Sequence, residues 1–216
     1  MSLEFEAILR DLATRDVVVP ARVTSAPQPS HTVYGGAHLF KAGGARRLGE
    51  LAVASLDEHL GDAQTFGALF GLDAPLAARV LPRLRDKLAR EPVEDQRIDF
   101  EDGFGVRSDD EEDAACDAAA AELAQGARDR SLPARIGVRI KSLSRESRAR
   151  SLRTLDRFFD LYFQREMMLP SSFVVTLPKV SSAHEVEALA RALDIVERRP
   201  GIATGTIGIE LMVETP

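Results

Sequence analysis

The sequence predicts an α/β fold in which parallel strands are joined one after another through helices. Three observations predict it. Short runs of β-branched and aromatic residues alternate with longer stretches of helical period from about residue 96 onward. Single helices between such strands imply right-handed crossovers and therefore a parallel sheet. The unusual polar residues Glu101, Asp102, Arg139, Lys141, Lys179 and Glu214 all fall at strand ends. In a parallel sheet, open or closed, the C-terminal ends of the strands carry the chemistry.

The elements follow in order. Leu3, Phe5, Ile8, Leu9 and Leu12 recur at helical spacing, so residues 2–15 are expected to form a helix packed on the body. The stretch VTSAPQPSH at 23–31 reads as a loop, and HTVYGGAHLF offers a short strand at 32–34 with glycines at its exit. GARRLGELAVASLDEHL is a helix with Leu48, Leu51, Ala52, Ser55 and Leu56 on one side, and helical stretches follow near 64–71 and 75–90. Strands are then expected at 96–100, 135–140, 173–177 and 206–213, separated by helices near 109–127, 144–165 and 182–198. With the strand near Tyr34 this makes five strands. No internal repeat or low-complexity linker divides them, so the organisation expected is an N-terminal helix and loop over 1–30 and one α/β domain over 31–216.

Composition narrows the class of function. The chain has 216 residues, 44% of them hydrophobic and 29% charged, which is enough to bury a sizeable core. A net charge of −6, spread over both signs, disfavours nucleic acid or an anionic membrane as an obligatory partner, while a local basic pocket still suits a small anionic substrate. No run approaches the roughly 18 apolar residues of a membrane span. The first sixteen residues are acidic and amphipathic rather than signal-like, so a cytoplasmic location is the default expectation. The single cysteine, Cys116, has no partner for an internal disulfide.

The candidate site residues come from strand parity. In RIDFEDGFG, Ile98 and Phe100 alternate with Asp99 and Glu101, which puts two carboxylates on one face of a strand that a parallel sheet covers on both sides. A buried carboxylate needs a partner, a metal or a proton, so Asp99, Glu101 and the adjoining Asp102 are site candidates. The acids at 109–113 are read instead as favourable charge at a helix N-terminus. In IGVRIKSL, Arg139 and Lys141 share a face and suit an anion clamp, because a guanidinium binds carboxylate or phosphate through a fork of hydrogen bonds. Lys179 follows the strand end in LPKV, where Pro178 shapes a turn whatever the function. In IELMVETP, Glu210, Met212 and Glu214 share one parity and Ile209, Leu211 and Val213 the other. A strand-end glutamate facing an acidic cluster suits Mg²⁺, which takes hard oxygen ligands and often only one or two carboxylates. His31, His38, His59 and His184 show neither a nucleophile elbow nor metal-ligand spacing, and YGGAHLFKAGG does not have the Gly-x-Gly-x-x-Gly spacing of a dinucleotide fold.

Taken together, IDFEDGFG, IGVRIKSL, VVTLPKVSSAHEVEAL and IELMVETP resemble the ordered strand-end motifs of the aldolase/citrate lyase β-subunit family, in the phosphoenolpyruvate/pyruvate barrel superfamily. The resemblance spans residues 31–216; each motif alone is weak, and four in order at barrel spacing are specific. It departs at the first strand, where His31 and Gly35-Gly36 replace the arginine-containing start and the Val-Pro after it. The resemblance implies a (β/α)₈ barrel and a Mg²⁺-dependent carbon–carbon lyase or aldolase, with Mn²⁺ as the alternative ion, acting through an enolate of a pyruvate-like or coenzyme A thioester substrate. It implies that Glu214 is a metal ligand, that Arg139 holds the substrate's carboxylate or keto oxygen with Lys141 beside it, and that Asp99, Glu101 and Asp102 order metal waters and substrate, with Lys179 in support. It also implies a homo-oligomer. Five strands stand where a closed barrel needs eight, and the chain ends at Pro216, before the strand that bears the family's second metal-binding acid. The expectation is that a further C-terminal segment or another chain completes the barrel. Two other readings stay open: a phosphotransferase acting on phosphoenolpyruvate, and a non-catalytic assembly subunit of the same fold.

Overall fold

The computed structural model describes residues 28–214. The helix expected at 2–15 lies outside the described residues. Five strands form one parallel sheet in the order of the sequence: β1 (Thr32–Gly36), β2 (Asp95–Asp99), β3 (Arg135–Arg139), β4 (Val174–Leu177) and β5 (Gly208–Leu211). After β1 come a 3₁₀ turn, Ala37–Leu39, and helices α1 (Gly44–Leu60), α2 (Ala63–Phe70) and α3 (Ala74–Arg90). Single helices α4 (Asp109–Asp129), α5 (Arg148–Phe163) and α6 (Ala183–Arg198) then link the remaining strands. The expected elements are all present over the described residues, with two differences of extent. β2 and β3 stop one residue and β5 two residues short of the predicted ends while β4 ends where predicted, and Gly35 and Gly36 belong to β1 rather than to its exit.

One face of the sheet is apolar and the other polar. Ile98, Phe100, Val138, Ile140, Val175 and Leu177 share a buried core with α4, whose Cys116, Ala119, Ala120 and Leu123 are small enough on average to let the helix lie close. Phe158, Phe159 and Tyr162 of α5 fill the rest, with Phe158 edge-on to Phe100 at 6.2 Å between ring centres. A smaller cluster of Leu56, Phe66, Ala77 and Leu81 holds α1, α2 and α3 together. Asp62 and Asp73 cap α2 and α3 through their side chains. Cys116 is fully buried in the main core, and burial pushes its thiol up to about 12. That makes it a packing residue.

The polar face is concave. The Tyr34 hydroxyl on β1 donates to Glu210 on β5 at 3.1 Å, although four strand steps separate them. In a flat sheet those strands lie about 19 Å apart. The sheet therefore curls with its polar residues inward.

The acidic start of α4 differs in detail from the expected dipole-capping role. Ser108 and Glu111 form a capping box. Glu112, by contrast, is buried and hydrogen-bonded to Thr154 at 2.6 Å, with Arg150 3.2 Å away, and Asp113 pairs with Arg150 and Arg153. These acids join α4 to α5 because the same helix face turns toward basic residues of its neighbour.

A candidate anion site at the C-terminal rim of the sheet

The rim is organised by one buried carboxylate. Asp99, the last residue of β2, is fully buried and accepts four hydrogen bonds: from the backbone N–H of Glu101 at 2.9 Å and of Gly103 at 2.7 Å, and from Nε and Nη2 of Arg139 at 2.8 and 2.6 Å. Both oxygens are thus committed, so Asp99 positions its neighbours. Two glycines make the turn fit. A Cβ on Gly36 would lie 2.3 Å from the Gly103 carbonyl oxygen, and one on Gly103 would lie 2.5 Å from Asp99 Oδ2. The loop 101–104 can fold against the end of β1 only because neither residue has a side chain.

Arg139 ends β3 with its guanidinium 4.6 Å above the Tyr34 ring, a cation–π contact that fixes the plane of the fork. Burial by itself lowers the tendency of this guanidinium to carry charge; the hydrogen bonds to Asp99 outweigh that and hold its pKa above the usual value. Nε and Nη2 are spent on Asp99. The third corner, Nη1, has looser contacts: Met212 Sδ at 3.8 Å, Glu101 Oε2 at 3.4 Å and Asp102 Oδ2 at 3.9 Å.

Lys179 brings the remaining rim residues together. Its ammonium contacts Glu101 and lies 3.0 Å from Asp102 Oδ1, and its backbone N–H donates to Glu214 Oε1 at 3.1 Å. The hydrogen bond to Glu101 is the main cause of a raised Lys179 pKa, and Lys179 in turn holds Asp102 below the usual carboxylate range. Lys179 adopts a left-handed backbone, φ 52°, a conformation costing a side-chain-bearing residue about 1 kcal/mol or more. This lets one residue direct its N–H and its side chain to different carboxylates.

Of the predicted site residues, Asp99, Glu101, Asp102, Arg139, Lys179 and Glu214 therefore meet at one rim. Lys141 does not. Past Arg139 the chain leaves the pleat, so parity no longer holds, and Lys141 Nζ donates to the Phe100 carbonyl at 2.7 Å and pairs with Glu112 Oε2 at 3.0 Å.

A second polar cluster lies deeper on the same concave face, and sequence reading passed over most of it. Arg97 donates through Nη2 to Glu210 Oε1 at 2.9 Å and to Asp95 Oδ2 at 3.0 Å, and through Nε to Glu210 Oε2 at 3.0 Å and Thr176 Oγ1 at 3.1 Å; Nη1 also contacts Asp95. Burial alone would raise the Glu210 carboxyl, but the hydrogen bonds from Arg97 and Thr176 outweigh it and hold it below the usual range. Desolvation, reinforced by Glu210, raises the Tyr34 hydroxyl. The signal for Arg97 was present, since it shares the parity of Asp99 two residues along. Gly137 and Gly208 lie in the same row of the sheet as Arg97, and a Cβ on either would press on Val174 between them, 2.3 Å from its carbonyl oxygen and 3.0 Å from its Cγ1 respectively.

Among the described residues, no group of three or more His, Cys, Asp or Glu side chains is disposed to hold a metal ion by itself. No described helix is long and apolar enough to cross a membrane. No curated protein and no solved structure matches the chain. A family profile does match, over residues 20–216, and the chain belongs to that family, described as a domain of unknown function (DUF6986).

Proposed function

We propose that this chain is a (β/α)-barrel lyase of the aldolase/citrate lyase type, cleaving or forming a carbon–carbon bond next to the keto group of a small anionic substrate with help from Mg²⁺. The observation that carries the reading is Arg139. Its plane is fixed by Asp99 and Tyr34 while Nη1 faces the rim, the arrangement needed to hold one oxygen of a carboxylate. The barrel part of the reading is supported by the sequential strand order and the inward curl, both of which a closed sheet requires.

The donor set suits a hydrated magnesium ion. Three carboxylates, Asp99, Glu101 and Asp102, pair with Arg139 and Lys179, and a fourth, Glu214, accepts from the Lys179 backbone N–H; the surplus of two negative charges matches a divalent ion. Asp99 is fully committed, so one or two of Glu101, Asp102 and Glu214 would hold the ion. With only one or two carboxylates bound at a time, the rest of its shell would be water and substrate oxygen. When bound, such an ion supplies charge stabilisation at the substrate's keto oxygen. Arg139 orients the substrate, and Lys179, held beside Glu101 and Asp102, places a positive charge where negative charge develops.

Titration of Mg²⁺ or Mn²⁺ in the presence of pyruvate or oxaloacetate tests the reading. Saturable cation-dependent binding, weakened about tenfold or more by Glu214→Gln, is the expected result. No cation-dependent binding of either acid would contradict it.

A further inference from the structure

Beside the rim, a cavity of about 740 Å³ opens between the β3–α5 and β4–α6 loops, with Lys179 on its wall. Its charge is lopsided. Arg145, Arg148, Lys179 and His184 line it against one acid, Glu185. That acid is turned away into the loop, where it accepts from the backbone N–H of Ser181 at 2.8 Å and from the Ser181 hydroxyl at 3.0 Å. Arg145 and Arg148 are exposed and form no ion pair among the described residues. Glu146, on the same loop, is held below the usual carboxylate range by its own backbone N–H and Ser144, with a smaller contribution from the Arg148 charge.

Ser142, Ser144 and Ser182 also line the cavity, the first two with their hydroxyls bonded to Ser147 Oγ at 2.9 and 3.0 Å. Helices α5 and α6, each sixteen residues long, begin at its wall. Neither has a side-chain cap at its N-terminus, and the first turn of α5 carries no acid. In α5 the cap residue Ser147 instead turns back to the Ser142 carbonyl at 2.8 Å. First-turn amides without a partner favour an anion; those of Arg148 and Glu185 are already bonded to the Ser144 and Ser182 carbonyls at 2.9 and 3.2 Å, so the side chains supply most of the attraction. Guanidinium forks add the geometry that a phosphate's three oxygens match. Leu143, Leu152 and Ala188 supply an apolar part to the wall, and the volume far exceeds that of a lone phosphate.

We infer that this cavity is a subsite for the phosphate end of a phosphate ester whose reacting end lies at Arg139 and Lys179. The inference rests on reading the rim as an anionic-substrate site, and it sharpens that reading. Lys179 is the shared wall, so one ligand spans both parts. Arg145 and Arg148 hold the phosphate, and Leu152 meets the apolar portion between the two ends.

The test uses inorganic pyrophosphate, titrated calorimetrically into the whole chain in EDTA-containing buffer so that cation binding at the rim plays no part. The expected result is saturable binding of one equivalent, weakened about tenfold or more in the double variant Arg145→Ala/Arg148→Ala, whose sites are exposed enough not to disturb folding. The double variant Arg46→Ala/Arg130→Ala, at a different basic cavity, should bind as the parent does. No saturable binding, or equal loss in both double variants, would overturn the inference. In a separate titration without EDTA, Mg²⁺ added in the presence of pyruvate should bind Arg145→Ala/Arg148→Ala undiminished, so a failure of the subsite is distinct from a failure of the rim.

Discussion

Two arginines on the concave face, one in its interior and one at its rim, are held in different ways. Arg97 has all three nitrogens engaged by Asp95, Glu210, Thr176 and the Gln96 carbonyl. Arg139, at the end of the next strand, is equally buried but commits only two nitrogens to Asp99 and points the third at acids that are themselves partly exposed. Asp102 is 63% exposed and Lys179 39%. The same side-chain chemistry gives a closed network in one place and an open one in the other. The closed network can only hold the curl of the sheet, since it offers an incoming ligand no free donor. The open one has donors and acceptors left over.

The comparison breaks first on stability. Arg97→Met leaves Asp95 and Glu210 without their counterion and should cost about 3–5 kcal/mol in urea unfolding. Lys179→Met at the rim should cost under about 1 kcal/mol, because Lys179 and Asp102 are partly exposed and the more buried Glu101 keeps Arg139 as a counterion. Equal losses would mean that the rim is as structural as the interior. Asp99→Asn falls between the regions: it strands the Arg139 charge and should cost about 3 kcal/mol. Amide exchange at Glu101 and Gly103 should also accelerate, since Asp99 accepts from both.

Acid should separate the two regions as well. The Glu210 carboxyl is held below its ordinary range in the fold, so its contribution is complete above the unfolded-state pKa and is lost as pH falls through the folded value. The stability gap between parent and Glu210→Gln should therefore be widest near neutrality and shrink from about pH 5 to about pH 3. The smallest effect expected is that of Lys179→Gly. Relief of the left-handed backbone, about 1 kcal/mol, offsets the lost pairs, so unfolding should barely change while binding at the rim is lost.

How far the sequence foretold these regions depended on the strand period. Asp99 and Arg139 lie on strands, where alternation decides the face, and the structure brings them together as that alternation requires; Glu101, two residues past β2, reaches the rim through the turn that Asp99 holds. Lys141 was misplaced by the same rule, applied two residues beyond the point where β3 leaves the pleat. Arg97 carried the same parity signal, but a lone arginine in EDQRIDF, with Asp95 and Asp99 close by in sequence, gave no hint that Glu210 would lie across from it. That pairing depends on the curl, which brings β2 and β5 together over three strand steps and leaves no trace in local pattern. The left-handed Lys179 was equally hidden, because its residue type gives no sign of it.

The central claim is that the rim binds a divalent ion with an anionic keto acid while the interior only shapes the sheet. It is tested most directly by calorimetric titration of Mn²⁺ at saturating pyruvate into three proteins: the parent, Glu101→Gln/Asp102→Asn at the rim, and Glu210→Gln in the interior. The account predicts binding in the parent, a loss of about tenfold or more in the rim variant, and near-parental affinity in folded Glu210→Gln despite its lower stability. Undiminished binding in the rim variant, or an equal loss in both variants, would contradict it.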